Sequence, residues 1–198
     1  MGARRAWLTV IPCFILMHAG GASYAEDEYQ AALDSAERLR KDERWREAGD
    51  VFLRALRLRP HSADAEAIAL NAIKMHSNFD DLQCWPEPNK LREQPIEGQL
   101  ARLFVAYDVY LDLFPETEAG TKIRYRKASQ LESCNHFREA AQLYKEVGTR
   151  HPNLELASYA NEAYRRCTDG VRRQKLRKTR SGDKRAPGQR AVQRTGGP

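Results

Sequence analysis

A recurring spacing of small residues, aromatics and prolines constrains this chain more than any other feature. Ala48, Phe52, Ala55 and Pro60 place a small residue, an aromatic, a second small residue and a proline at offsets of four, three and five. The same offsets return in Ala140, Tyr144, Val147 and Pro152, and in a looser copy in Leu103, Tyr107, Tyr110 and Pro115. Offsets of four and three fall on one face of an α-helix, and a proline ends the helix because it disfavours helical geometry in the residue before it. Ala36 and Ala128 stand twelve residues before Ala48 and Ala140, on a second helical stretch upstream. Each copy therefore predicts a helical hairpin, and the chain as a whole an all-α fold. Hairpins in series bury their apolar faces against one another, which predicts a short α-solenoid.

This arrangement resembles the tetratricopeptide repeat (TPR) family, whose hairpin of about 34 residues carries that series on its second helix. Trp45 and Phe137 match as well, each an aromatic at the turn three residues before the first small residue. The resemblance covers roughly residues 28–168 and implies three hairpins plus a capping helix. Some positions depart from the pattern: Leu103 and Tyr110 replace small residues in the middle copy, Ala32 stands where Trp is usual, and Ser35 and Lys127 stand where Leu is usual.

Pro60 and Pro115 are 55 residues apart, about 21 more than one repeat. Pro86, Pro88 and Pro95 forbid a continuous helix in between. The surplus predicts a first helix over 63–76, an inserted loop over 77–96 and a second helix over 97–114. After Pro152, the periodicity over 154–167 predicts a capping helix with Leu156, Tyr159, Ala160 and Ala163 inward, covering the exposed edge of the last hairpin.

The two ends differ from the middle. Arg4 and Arg5 precede a 12-residue apolar run, Ala6 to Met17, and then Ser23-Tyr24-Ala25 before Glu26-Asp27-Glu28. That order predicts a secretory signal peptide over 1–25, cleaved after Ala25. The run falls short of the ~20 residues that span a bilayer, so no transmembrane helix is predicted in the mature protein. Cys13 lies inside the apolar run behind Pro12, a poor context for lipidation. The formal charge of +6 is concentrated at the C-terminus, where residues 169–198 hold ten basic and two acidic side chains against 21 and 25 over 26–168. With so few large aliphatics, 169–198 predicts a disordered basic tail, either solubilising or an arm for an anionic surface. Export makes nucleic acid a poor partner.

Outside a reducing cytosol, Cys84, Cys134 and Cys167 allow one disulfide with one thiol left over, or three packed thiols. In a stack of hairpins all three fall on the same edge. The pair Cys134–Cys167 is preferred over Cys84–Cys134 because helices of adjacent units are neighbours. Those three with His136 also make a nominal zinc set, but the spacing fits no known module, so no metal is predicted. The chain has no glycine-rich nucleotide loop, no serine elbow, no helix-borne paired-histidine motif and no Cys-x-x-Cys, so the reading is non-catalytic and without cofactors. His61 and His151 flank the helix-ending prolines and act there as C-terminal cations.

What remains is binding. The family resemblance implies a concave groove lined by first helices; aligned on the prolines, Lys122, Tyr125, Arg126 and Ser129 line it in the third unit, and Asn71 and Lys74 in the middle one. Lys122 and Arg126 are placed like a basic pair that grips a peptide carboxylate. Leu33, Glu37 and Ile68 occupy the places of the other clamp residues, which argues against a chaperone-tail receptor. The resemblance, to exported TPR proteins of Gram-negative envelopes, implies a periplasmic or envelope-associated adaptor that binds a peptide or protein partner. The alternative is a structural subunit of an envelope assembly whose basic tail contacts anionic lipid or glycan.

Overall fold

The computed structural model describes residues 19–79, 82, 84 and 91–182. Most of the expected leader, residues 1–18, and the end of the expected tail, 183–198, lie outside the described residues. Among the described residues the regular structure is entirely helical: α1 (Ala19–Lys41), α2 (Trp45–Leu58), α3 (Ala65–His76), α4 (Gly98–Leu113), α5 (Glu118–Ser133), α6 (Phe137–Arg150) and α7 (Glu155–Gly182). Each helix packs on the next in order, α2 also touches α4, and α5 also touches α7. The chain is thus a stack of three hairpins, α1–α2, α3–α4 and α5–α6, closed by α7.

The repeated spacing has a repeated geometry. A shift of 92 residues carries Ala36, Trp45, Ala48 and Phe52 onto Ala128, Phe137, Ala140 and Tyr144. It also carries one hairpin turn onto the other. Glu43 (φ 58°) and Asn135 (φ 64°) both adopt the left-handed conformation, and the amides of Arg44 and His136 both donate to the carbonyl five residues back, Leu39 and Leu131, at 2.9 Å. At the other end, Arg59, Phe114 and His151 leave the helix at φ near −130° and ψ between 54° and 73°, each immediately before one of the three prolines, as steric exclusion of the helical region demands.

Packing follows from residue size. Ala36, Ala48, Ala55, Ala128 and Ala140 have no exposed surface, so paired helices approach closely, and Phe52 and Tyr144 fill the space between them. In the middle copy Leu103, Tyr107 and Tyr110 are equally buried, so larger side chains occupy the corresponding positions. The Tyr110 hydroxyl donates to Glu66 at 2.5 Å and sits 3.0 Å from Thr117 Oγ1. Burial, reinforced by Glu66, pushes it up to about 12. Lys127 holds its ammonium over the Phe104 ring, 5.4 Å from its centre, and pairs with Asp108. A long charged side chain thereby covers apolar surface at the α4–α5 junction.

The last helix differs from the expectation. Instead of ending near 167, α7 continues to Gly182, so the expected disordered tail does not hold over 169–182. The inward face is Ala157, Ala160, Ala163 and Cys167, continued by Gly170. Gly170 lies under Phe137, where an added Cβ would meet ring Cγ at 2.6 Å. A glycine that reads as a helix breaker is here a contact that lets α7 reach the turn of the third hairpin. Tyr159, expected inward, is 50% exposed.

Candidate functional site

Two surfaces carry the chemistry. The first is the face shared by α5 and α7. Tyr125 is half-buried, its ring edge-on to Tyr144 at 5.3 Å. Ser129, one turn on, bonds the Tyr144 hydroxyl, and that hydroxyl donates to Glu132 Oε2 at 2.9 Å. Arg166 of α7 holds the same carboxylate at 3.2 and 3.4 Å. Burial first, then Glu132, drives the Tyr144 phenol far above its ordinary range, so it stays a donor. Across from Tyr125, Tyr159 donates to Glu155 at 2.7 Å and lies within electrostatic reach of Tyr125. Lys122 and Arg126 are exposed, Lys122 pairing with Glu118 at 2.6 Å. The structure brings these α5 residues together. Asn71, half-buried, and Lys74, exposed, lie on α3, which packs against α2 and α4. Tyr159 was missed as a surface residue because its spacing from Leu156 and Ala163 is that of a core face.

The second surface is the edge where the inserted segment returns. Cys84 is joined to Cys134, with Cα atoms 4.9 Å apart, and Cys167 is a buried thiol. The preferred pairing, Cys134–Cys167, is therefore not the one made. The inserted segment returns over the third turn, which brings Cys84 to Cys134 and leaves Cys167 packed in α7. Residues 91–97 form a strap over the third turn. Gln94 N donates to Cys134 O at 2.9 Å, Asn135 Nδ2 to Arg92 O at 3.0 Å, and His136 Nε2 to Gln94 O at 2.7 Å. From α7, Gln174 Nε2 donates to Leu91 O at 2.7 Å and to Asn135 O at 2.8 Å.

This edge makes no zinc site: two of the four nominal ligands are bonded to each other, and His136 Nε2 is turned to a carbonyl. Among the described residues no cluster of three metal-ligating side chains occurs. Burial, reinforced by Glu132, pushes the Cys167 thiol up to about 12, so it is no nucleophile at neutral pH.

A third polar cluster joins the first two hairpins. His76 is fully buried against Gly49, where an added Cβ would meet the ring at 2.6 Å. Gln99 Nε2 donates to His76 O at 3.0 Å and lies 3.1 Å from Nδ1, so Nδ1 is the unprotonated acceptor and Nε2–H faces Asp50, 3.5 Å away. Burial lowers the His76 pKa; Asp50 opposes that shift and Arg102, paired with Asp50, adds to it. This cluster holds helices together rather than opening to a ligand.

Compared with models of protein families, with curated proteins and with solved structures, the chain finds no match.

Proposed function

We propose that this chain is a non-catalytic, exported adaptor of the TPR type that binds a peptide or protein segment against the α5–α7 face. The observation that supports this reading is a pair of tyrosines on the packed helices α5 and α7, Tyr125 half-buried and Tyr159 half-exposed and within electrostatic reach of each other, with the exposed cations Lys122 and Arg126 on α5. Partly exposed aromatic rings anchor ligands at low entropic cost. Residues 1–25 serve as the leader. Tyr29 is the first buried side chain among the described residues, so cleavage after Ala25 leaves the core whole and starts the mature helix on three acidic residues, which suit a helix N-terminus. No helix among the described residues is long and apolar enough to cross a membrane.

A random peptide library selected on the mature protein, residues 26–198, tests the reading. A shared motif should emerge, its binding lost in Tyr125→Ala and retained in Val105→Ala, an exposed site on α4. A motif indifferent to Tyr125 defeats the groove. The scaffold alternative is then favoured if deleting 183–198 releases the protein from anionic vesicles.

A further inference from the structure

The strap and the distal part of α7 enclose a cleft of about 690 Å³, lined by Leu91, Arg92, Glu93, Gln174, Arg177 and Lys178. A smaller hollow of about 280 Å³ adjoins it, sharing Glu93, Gln174 and Lys178 and adding Arg138, Glu139 and Lys175 among its lining residues. Together the two are lined by five basic and two acidic side chains. Some cations along the hairpins, such as Arg54, Arg59, Arg102 and Arg150, meet a carboxylate. Around this cleft, Arg92, Arg138, Lys175 and Arg177 have no carboxylate partner among the described residues. The backbone beneath is fixed, because the Gln174 amide spans Leu91 O and Asn135 O while the Asn135 amide holds Arg92 O. Concentrating like charges on a rigid frame costs free energy that a bound anion returns.

From this geometry we infer a binding site for a phosphorylated sugar or polyol carrying two or more negative charges. The excess of three positive charges calls for a multivalent anion, and guanidinium forks match phosphate oxygens in pairs. Glu93 is left to accept hydrogen bonds from ligand hydroxyls. The volume is that of a small-molecule site. No aromatic lines either hollow, so there is no platform for nucleic-acid bases, and Leu91 and Val171 alone give a peptide little apolar anchorage. The site lies on the strapped edge and does not rest on the tyrosine groove.

Calorimetric titration of the mature, oxidised protein with glucose 1,6-bisphosphate tests it, alongside flotation with phosphatidylcholine vesicles doped with phosphatidylinositol phosphate. The bisphosphate binds saturably. Arg92→Gln combined with Arg177→Gln weakens binding at least about tenfold, the loss expected for charge-assisted hydrogen bonds, whereas Arg38→Gln with Arg57→Gln, which removes the same charge from the first hairpin, does not. Vesicle binding competed by the bisphosphate assigns the ligand to a lipid headgroup; binding of the bisphosphate without vesicle binding assigns it to a soluble compound. Absence of saturable binding, equal loss in the two double variants, or vesicle binding that the bisphosphate does not compete overturns the site.

Discussion

The first and third hairpins share a backbone and differ in what covers them. Shifted by 92 residues, their turns have the same left-handed residue and the same closing hydrogen bond. Yet Asp42, Glu43 and Arg44 are exposed, whereas Cys134 and Asn135 are buried and His136 is half-buried. Local geometry is set by the hairpin, and the choice of side chains by the strap. The carbonyls of Cys134 and Asn135 and the side chains of Asn135 and His136 meet strap or α7 partners, as buried donors and acceptors require, while at the first turn Arg44 pairs with the nearby Glu47.

The largest expected effect should be common to both hairpins. Phe52→Ala and Tyr144→Ala each remove a buried ring from between small residues and should cost ~3–5 kcal/mol in chemical denaturation. A cost like that of a surface variant at either site would break the equivalence. The next effect should be confined to the third hairpin. Replacing Cys84 and Cys134 by Ser opens a covalent loop with a sequence separation of 50, and chain entropy puts the loss at about 4 kcal/mol. Hydrogen exchange should quicken at Gln94 and around the third turn while Arg44 of the first keeps its protection.

Smaller effects sharpen the comparison at the turns. Glu43→Gly relieves a left-handed non-glycine residue and should stabilise by up to about 1 kcal/mol. Asn135→Gly relieves the same strain but deletes the amide bonded to Arg92 O, so it should destabilise. Thermal melts of the two variants should move in opposite directions. Acid should act on the first two hairpins. Because burial holds the folded His76 below its ordinary value, the unfolded chain binds the proton more readily. The stability contributed by neutral His76 is complete above the unfolded pKa of ~6.5 and declines as pH falls below it towards the folded pKa. His76→Gln should remove that part of the pH dependence, seen as a flatter midpoint between pH 7 and pH 5.

Much of this was legible in the sequence, and the limits have physical causes. Small residues at fixed offsets from aromatics and prolines encode helix-to-helix distance and helix ends directly, so the three hairpins and the bounds of α3 and α4 follow within two residues. The extension of α7 was hidden because its inward face consists of Ala163, Cys167, Gly170 and Gln174, none a large aliphatic. Their spacing of four, three and four was the available signal. The strap is held by backbone carbonyls that any sequence supplies, so only Cys84 and the prolines of the inserted segment hinted at it. The register places Tyr125 on α5, where it is half-buried; periodicity assigns Tyr159 to the core because it locates a face without saying how far its edge lies open.

The most direct test of the strapped edge is peptide mapping of the exported protein, unreduced and alkylated after unfolding. The account predicts a cross-linked peptide pair containing Cys84 and Cys134, with Cys167 alkylated as the single free thiol of the mature chain. A Cys134–Cys167 link, or three alkylated cysteines, would contradict it.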